Sequence, residues 1–260
     1  MNIEFLKNCF GLEGRTVVVT GAGSGLGRQA ALTLAAAGAH VALLGRRQDA
    51  LEETAGQVRQ QGGVASIHPT DVCDEAAIEV SLDAIEAQLP PVWGLVNNAG
   101  IGGRFLLTEA NASRVSKILE VNTVAALLMA SAFARRLIKQ KNPGRIINIC
   151  SLAAEKHSQG LGVYGASKAA LEHLSRTMAY EWAPAGINVN AINPGFIETD
   201  INRAMFQSPS GQAIVQTLPR KRLGVPQSLD TALLMLMAPA SQHITGATLT
   251  VDDGQRFGAS

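Results

Sequence analysis

The sequence predicts an α/β fold built on one doubly wound parallel sheet with helices on both faces. Strand-like apolar runs alternate with helical patterns over nearly all of the 260 residues, which is typical of a parallel sheet with crossover helices. The strand-like runs are almost continuously apolar, as expected of strands that are covered on both faces. A glycine-rich turn joins the first predicted strand to the first predicted helix.

Seven runs rich in β-branched and aliphatic residues are predicted as strands: 15–20, 40–45, 64–70, 92–98, 144–150, 187–192 and 246–253. The segments between them have helical periodicity, and the helix after the fourth strand is predicted to run to about Lys141. No Pro/Ser-rich linker and no repeat interrupts this alternation. We therefore expect a single domain over 1–260.

The least regular part of the chain is 199–226, which contains Ser-Pro, Leu-Pro and Gly-Val-Pro. Such dipeptides break regular structure. Long insertions late in an α/β sheet often cover a bound ligand. We predict that 199–226 is a substrate lid, and the alternative is a plain surface excursion.

Composition excludes several classes of function. Apolar residues make up 47% of the chain and charged residues 17%, as in globular proteins. A net charge of +1 argues against a nucleic-acid partner or an electrostatic membrane partner. The three cysteines form no CxxC or Cys/His cluster, so we predict free thiols and no metal. The apolar run 123–134 is short for a membrane span, and no signal-peptide core stands at the start, so we expect a cytoplasmic protein.

The glycine-rich turn "TGAGSGLG" at 20–27 predicts a phosphate-binding site. Gly21, Gly25 and Gly27 let the backbone turn tightly and approach a pyrophosphate closely. The helix that follows offers free N–H groups and the positive end of its dipole, and Ser24 could add a hydroxyl donor. The alternative is a glycine-rich turn that binds nothing, but a strand–turn–helix is the context that a dinucleotide requires.

The end of the second predicted strand indicates which dinucleotide binds. An NAD site carries an acidic residue there to hold the ribose 2′-hydroxyl, whereas this chain has Gly45 followed by Arg46 and Arg47. A guanidinium group pairs with a 2′-phosphate through charged hydrogen bonds. We therefore predict NADP(H), with NAD(H) as the alternative. The other interpretation is that both arginines are ordinary solvated residues at a helix start.

Further motifs, taken with the glycine turn, resemble the short-chain dehydrogenase/reductase family. Its glycine motif TGxxxGxG is matched at 20–27, and its "NNAG" stands at 97–100. Ser151 precedes Tyr164 of "YGASK" by 13 residues, and "PG" at 194–195 follows the sixth strand. The resemblance extends from about Leu12 to Gly254, where "VDDG" departs from the "DGG" that is usual in the family.

The resemblance implies a Rossmann-like fold with strand order 3-2-1-4-5-6-7 and a homotetramer or homodimer. It also implies that the cofactor lies across the carboxyl ends of the strands, where open α/β sheets bind ligands. Beyond the turn glycines, Ser24 and the two arginines, the implied cofactor contacts are Leu26, Asp71, Val72, Asn98, Ala99, Gly100, Tyr164, Lys168, Pro194, Gly195, Ile197 and Thr199.

The resemblance also implies a catalytic tetrad of Asn122, Ser151, Tyr164 and Lys168. Residues at i and i+4 share a helix face, so the Lys168 ammonium is predicted to lower the pKa of Tyr164 from about 10 and fit it for acid/base catalysis. By resemblance, Lys168 also holds the nicotinamide ribose. Ser151 hydrogen-bonds the substrate oxygen, and Asn122 holds a water that links the lysine to solvent.

These features predict an NADP(H)-dependent oxidoreductase that interconverts a ketone or 3-oxoacyl group and a secondary alcohol. One alternative is an NAD-dependent alcohol or hydroxysteroid-type dehydrogenase. A second is an epimerase or dehydratase, for which little sequence follows Gly195. A third is a cofactor-binding regulator without catalysis, and the intact tetrad argues against it.

The predicted substrate contacts are Ser151, Tyr164, His157 and Phe196. His157 is included because it lies in the loop before Tyr164. Phe196 lies just before the predicted lid, and the lid contains Met205 and Phe206. Because these side chains are apolar, we expect a bulky or hydrophobic carbonyl compound as the substrate. Cys150 adjoins Ser151, but neighbouring residues of a strand face opposite sides, and we predict that Cys150 is buried and not a nucleophile.

Overall fold

The computed structural model describes residues 2–200 and 202–258 and is built on a sheet of seven strands. The strands are β1 Thr16–Thr20, β2 His40–Gly45, β3 Val64–Pro69, β4 Val92–Asn97, β5 Gly144–Ile149, β6 Ile187–Pro194 and β7 Thr248–Val251. Their order is β3-β2-β1-β4-β5-β6-β7, and every pairing is parallel. The predicted fold class and strand order are therefore confirmed.

Helices connect the strands and cover both faces of the sheet. They are α1 Ile3–Phe10, α2 Gly25–Ala36, α3 Gln48–Gln60, α4 Glu75–Gln88, α5 Ala112–Leu119, α6 Ala125–Gln140, α7 Gly162–Trp182, α8 Arg203–Gln207, α9 Pro209–Thr217 and α10 Asp230–Met237. The sequence patterns did not predict α1, α8 or α9. Helix α1 buries none of its residues, so it lacks the core-facing side that marks the other helices. Position 201 of the predicted lid lies outside the described residues.

The two faces of the sheet carry separate hydrophobic layers because consecutive strand residues point to opposite sides. Val17 and Val19 of β1 join a layer with residues of α2, α3 and α10. Val18, between them, joins the other layer with residues of α4, α6 and α7. Both sides of each central strand are therefore buried, which explains why the strand sequences are continuously apolar.

Helices α5 and α6 form one continuous helix, Ala112–Gln140, joined by a π-helical turn at Glu120–Val124. The run 123–134 thus belongs to a 29-residue helix that is long and apolar enough to cross a membrane by length and composition alone. Half of its most apolar window is buried inside the protein, and Met129, Phe133 and Leu137 pack in the second hydrophobic layer. The helix ends at Gln140, next to the predicted end at about Lys141, and its burial is typical of a core helix, as predicted for the run 123–134.

A buried polar chain fixes α6 and α7 against the middle of the sheet. The side-chain amide of Asn97 donates to the Ala126 carbonyl and to Oδ1 of Asn148, both at 3.0 Å. Nδ2 of Asn148 donates to Oγ of Ser175 on α7 at 2.8 Å. Because buried polar groups are costly unless they are paired, this chain specifies one position of α7 relative to β4 and β5.

The turn between β1 and α2 requires glycine for two different reasons. Gly25 has a positive φ of 53°, which other residues rarely adopt. Gly27 does not have a positive φ. A β-carbon at this position would, however, overlap the Gly21 carbonyl oxygen and the side-chain amide of Asn98. That amide already donates to the carbonyl oxygens of Thr20 and Gly21. The turn is therefore held closely against the end of β4.

We expect Gly27→Ala to destabilise the protein by about 1–3 kcal/mol, because the added methyl overlaps backbone and amide groups that cannot move freely. Gly56→Ala is the matched control. Gly56 lies within α3, and a β-carbon there meets nothing within 4 Å. Because alanine has the higher helix propensity, the free energy of unfolding is expected to rise by up to about 1 kcal/mol. Urea unfolding of the two variants measures both effects. A stability unchanged by Gly27→Ala would contradict the proposed close contact.

Candidate active site

One cavity of about 820 Å³ lies at the carboxyl edge of the sheet. It brings together most of the residues that the sequence predicts for the site, from the glycine turn to the loop after β6. These are Gly21, Ser24, Gly25, Leu26, Arg46, Arg47, Asp71, Val72, Asn98, Ala99, Gly100, Ser151, Tyr164, Lys168, Pro194, Gly195, Phe196, Ile197 and Thr199. Gly27 and Asn122 stand behind the wall, and His157 lies elsewhere.

The glycine-turn end of the cavity has the features of a phosphate cradle. Helix α2 begins at Gly25, with Ser24 as its N-cap, and the Ser24 hydroxyl makes no capping hydrogen bond. The first N–H groups of a helix have no partner within the helix, and this N-terminus lines the cavity. Thr199 stands opposite, since a β-carbon on Gly25 would lie 3.4 Å from its methyl group. These residues fit the pyrophosphate of a dinucleotide.

Arg28 braces the glycine turn from outside the cavity. Its guanidinium donates to the Gly23 carbonyl at 2.8 Å and to both carboxylate oxygens of Glu53 at 2.7 and 2.9 Å. Its Nε donates to Thr54 at 3.2 Å, and the Thr54 hydroxyl in turn donates to the Ala22 carbonyl at 3.0 Å. The turn is therefore fixed to α3 by side chains that leave its cavity side open.

Arg46 and Arg47 follow β2 as exposed side chains on the cavity rim. Within residues 2–200 and 202–258, neither guanidinium has a carboxylate partner. Gly45, where an NAD site has an acid, is half-buried and faces Leu51 of α3. The rim at this position therefore carries two cations and no acid.

Ser151, Tyr164 and Lys168 meet in the middle of the cavity wall. Ser151 follows β5, and its hydroxyl accepts a hydrogen bond from Ala153 N at 3.1 Å as the cap of a short 3-10 turn. Tyr164 and Lys168 are one turn apart on α7. Nζ of Lys168, which is 4% exposed, donates to the Ile149 carbonyl at 2.8 Å. The last residue of β5 thus anchors the lysine.

Burial controls the protonation of both α7 groups. It raises the pKa of the Tyr164 phenol above its ordinary value, and the Ser151 hydroxyl opposes this rise through a hydrogen bond. Burial also lowers the pKa of the Lys168 ammonium. The lowered tyrosine pKa that the sequence predicts is therefore wrong for the protein's own groups, because burial of the phenol outweighs the opposing hydrogen bond from Ser151. A protonated phenol at neutral pH suits proton donation to a substrate oxygen.

Asn122 lies in the π-helical turn of the long helix and is fully buried. Its Oδ1 accepts from Ile101 N at 2.8 Å, and its Nδ2 donates to the Ile101 carbonyl and to the Ser167 hydroxyl, both at 3.0 Å. Ser167 is next to Lys168 on α7. The side chain thus joins the segment after "NNAG" to α7. A β-carbon on Gly100 would lie 3.2 Å from Oδ1 of Asn122 and 3.4 Å from Nζ of Lys168, which places both residues beside the cavity wall.

Asn193, fully buried near the end of β6, joins the two segments that carry Ser151 and Lys168. Its side-chain amide donates to Glu155 at 2.8 Å and to Glu172 at 3.0 Å. Glu155 lies in the loop after Ser151, and Glu172 lies one turn after Lys168 on α7. One amide therefore holds both segments against β6. No local pattern in the sequence marks this contact.

His157 corrects the predicted substrate set. Its side chain is exposed and does not line the cavity, whereas its neighbours Lys156 and Ser158 do. In a loop, a shift of one position decides which side chain faces inward, and the sequence does not show it. Lining residues outside the predicted site set also include Thr70, Cys73, Ile101, Gly102, Lys117, Val121, Leu152, Ala153, Leu161 and Asn202.

Cys150 is buried beside Ser151, as predicted, and burial raises the pKa of its thiol to about 12. A thiol attacks as the thiolate, so Cys150 does not act as a nucleophile at neutral pH. In the described part of the chain, no group of three or more His, Cys, Asp or Glu side chains is placed to hold a metal ion.

Treatment of the native protein with iodoacetamide at about pH 8 is expected to leave Cys150 unmodified, because it is buried and protonated. Cys9 is partly exposed and serves as the internal control that should be alkylated. Mass spectrometry of proteolytic peptides gives the modified fraction of each cysteine, and the same treatment in denaturant should label Cys150. Its alkylation in the native protein would show that the thiol is accessible.

Comparison with known proteins gives consistent matches across the chain. The family model "short chain dehydrogenase" matches residues 15–210. The 3-oxoacyl-acyl-carrier-protein reductase FabG of Escherichia coli strain K12 is 36% identical over 93% of this chain and 97% of its own length.

Two solved structures have the same fold. A gluconate 5-dehydrogenase from Burkholderia cenocepacia J2315, in complex with NADP and tartrate, has a TM-score of 0.91 and 32% identity over 98% of this chain and 100% of its own. A 7 alpha-hydroxysteroid dehydrogenase, complexed with NADH and 7-oxo glycochenodeoxycholic acid, has a TM-score of 0.90 and 33% identity over 96% and 97%.

Proposed function

We propose a specific reaction for this chain from one premise: the chain belongs to the short chain dehydrogenase family, and it is an oxidoreductase that acts on a secondary alcohol or ketone with NAD(P). The proposed reaction is the NADP(H)-dependent reduction of a ketone or 3-oxoacyl group, and its reverse. The observation that carries it is the meeting of Ser151, Tyr164 and Lys168 with the glycine turn in one cavity.

The proposed cofactor preference rests on the charges at the end of β2. Arg46 and Arg47 present two guanidinium groups at the cavity rim, and Gly45 leaves out the acid that would repel a 2′-phosphate. Of the two similar structures above, one holds NADP and the other NADH. The local charge of this chain, rather than its relatives, therefore supports NADP(H).

Tyr164 is the proposed acid/base, and Ser151 the proposed partner of the substrate oxygen. The bound cofactor supplies or accepts the hydride. In reduction, the phenol of Tyr164 donates its proton to the carbonyl oxygen, and the Ser151 hydroxyl stabilises the charge that develops there. The raised pKa of Tyr164 keeps this proton in place at neutral pH, as proton donation in the reductive direction requires.

Lys168 and Asn122 are proposed to act beside this pair. The Lys168 ammonium would hold the nicotinamide ribose while it keeps its bond to the Ile149 carbonyl. Both Nδ2 hydrogens of Asn122 are used by Ile101 and Ser167, and its Oδ1 accepts from Ile101 N. Its proposed role is to hold the wall beside Lys168 and, as the resemblance implies, a water that links the lysine to solvent.

The proposed substrate is a hydrophobic carbonyl compound. Ile101, Phe196 and, after Ser151, Leu152, Ala153 and Leu161 give the cavity an apolar lining, and Lys156 and Ser158 are the polar lining residues between Ala153 and Leu161. The polar Asn202 nearby is occupied with Thr199 N and the Ile197 carbonyl. Segment 199–226 is proposed to be the lid over this part, within a single domain of 1–260. We further propose a cytoplasmic homotetramer or homodimer, with the cytoplasmic location supported by three free thiols.

Tyr164→Phe is expected to lower turnover of a ketone panel at least about 100-fold, because it removes the proton donor. Binding of NADPH should change less than about threefold, since the glycine turn and the arginines remain. Tyr180→Phe is the matched control, because Tyr180 lies on the same helix and is 85% exposed. NADPH oxidation followed by absorbance, with fluorescence titration of NADPH, measures both effects. Near-normal turnover in Tyr164→Phe would refute the assignment.

The double variant Arg46→Ala, Arg47→Ala is expected to raise KM for NADPH about tenfold or more while changing KM for NADH less than about twofold, because only the 2′-phosphate loses its charged partners. Lys139→Ala is the control, since Lys139 is an exposed cation at the far end of α6 and does not line the cavity. Initial rates with each cofactor give the comparison. An equal effect on both cofactors would contradict the preference for NADP(H).

A further inference from the structure

The segment Asp252–Gly258, which follows β7, lies behind the wall of the cavity and has no place in the proposed chemistry. Gln255 is its most buried residue, at 2% exposure, although it is a polar side chain far along the sequence from the tetrad. It does not line the cavity. A buried glutamine needs partners for its amide, so the groups that it contacts indicate what it does.

Gln255 contacts two segments that shape the substrate part of the cavity. Its side-chain Oε1 accepts a hydrogen bond from the backbone N–H of Phe196 at 2.6 Å. Its backbone carbonyl accepts from Nζ of Lys156 at 3.0 Å. Phe196 belongs to the loop after β6, and Lys156 belongs to the loop between Ser151 and α7. Both of these residues line the cavity.

The fit around Gln255 leaves little freedom. A β-carbon on Gly195 would lie 2.6 Å from Oε1 of Gln255 and 2.8 Å from Cα of Asp252. Only glycine at position 195 therefore lets the loop after β6 approach the C-terminal segment this closely. The same approach brings the N–H of Phe196 to its acceptor.

The C-terminal segment is itself held in place. The Asp252 carboxylate accepts from Gly254 N at 3.0 Å and from Arg256 N at 2.8 Å. Asp253, with a positive φ of 53°, forms ion pairs with Arg220 at 3.2 Å and Arg222 at 2.7 Å. Both arginines lie near the C-terminal end of the proposed lid. The segment that carries Gln255 is therefore attached to the lid as well as to the sheet.

Phe196 links this backbone contact to the lid from the other side. Its ring packs edge-to-face on Phe206 of α8, with ring centroids 5.9 Å apart. Phe206 is buried, whereas Phe196 faces the cavity. The backbone position of Phe196 therefore determines where the aromatic wall and the adjoining part of the lid stand.

We propose that Gln255 is a positioning residue for substrate selection: by fixing the backbone of Phe196, it sets the aromatic wall against which a bulky carbonyl substrate packs. This inference rests on the proposed function. Gln255 touches neither the glycine turn nor Arg46 and Arg47, and of the predicted cofactor contacts it packs against Gly195, so we expect a larger effect on the substrate than on the affinity for NADPH.

The test uses substitutions that separate the hydrogen bond from the volume of the side chain. Gln255→Leu keeps the size and removes the acceptor, whereas Gln255→Glu keeps an acceptor oxygen. Gln227→Leu is the control, because Gln227 is an exposed glutamine that bonds Gln29 away from the cavity. KM and kcat for a bulky aryl ketone and for a small ketone, together with the Kd for NADPH, are compared among the four proteins.

Gln255→Leu is expected to raise KM for the bulky ketone about tenfold, because a buried N–H loses its partner and the wall moves. KM for the small ketone, kcat for both ketones and the Kd for NADPH should change less than about threefold. In Gln255→Glu, KM for the bulky ketone should stay near the wild-type value. An unchanged KM in Gln255→Leu, or an equal rise in Gln255→Glu, would overturn the proposal. If the leucine variant does not fold, Gln255→Asn shortens the same amide and is expected to raise the same KM.

Hydrogen–deuterium exchange provides a readout that does not depend on turnover. Peptides that contain the Phe196 amide are expected to exchange faster in Gln255→Leu and at the native rate in Gln255→Glu and Gln227→Leu. Unchanged exchange in Gln255→Leu contradicts the role of Gln255 even in an active enzyme. A wild-type protein that reduces no ketone contradicts the proposed function instead, so the two failures are distinguishable.

Discussion

The arrangement of the site depends on the parallel register of the central strands. Because all seven strands run in one direction, the residues that follow β1, β4, β5 and β6 meet at one edge of the sheet. Residues far apart in the chain thus become neighbours, such as Gly21 beside Asn98, and Ser151 and Gly195 line the same cavity. The register in turn depends on burial of both faces, since a slip of one position would exchange the two hydrophobic layers.

Burial of the same edge controls the chemistry. The low-dielectric surroundings raise the pKa of Tyr164 and lower that of Lys168, because both charged forms lose hydration. Hydrogen bonds within the protein replace part of the hydration that water would give these two groups. The Ile149 carbonyl accepts from Lys168, and the Ser151 hydroxyl interacts with the phenol. Acid/base behaviour here is therefore a property of the packed wall as well as of two residues on one helix.

The fold and most of the cavity wall could be predicted from the sequence because their signals are local. A strand, a glycine turn and a helix stand next to each other in the chain, and the spacing of Ser151, Tyr164 and Lys168 is short. The contacts of Asn193 with Glu172 and of Gln255 with Phe196 join residues from different elements and leave no local pattern. The pKa of Tyr164 was predicted in the wrong direction because the sequence shows its charged neighbour and not its burial.

Reaction and substrate selection are carried by parts of the chain with different sequence signals. The proposed reacting groups lie just after β5 and on α7, next to strand and helix patterns that the sequence shows. The proposed substrate wall lies on loops that are held by residues distant in the sequence, such as Asn193 of β6 and Gln255. Both of these residues are buried, so the positions of the loops depend on the core as well as on the loops' own residues. Relatives of similar identity are, by name, a 3-oxoacyl-acyl-carrier-protein reductase, a gluconate 5-dehydrogenase and a 7 alpha-hydroxysteroid dehydrogenase, so the fold and reaction class that they share with this chain do not fix the substrate.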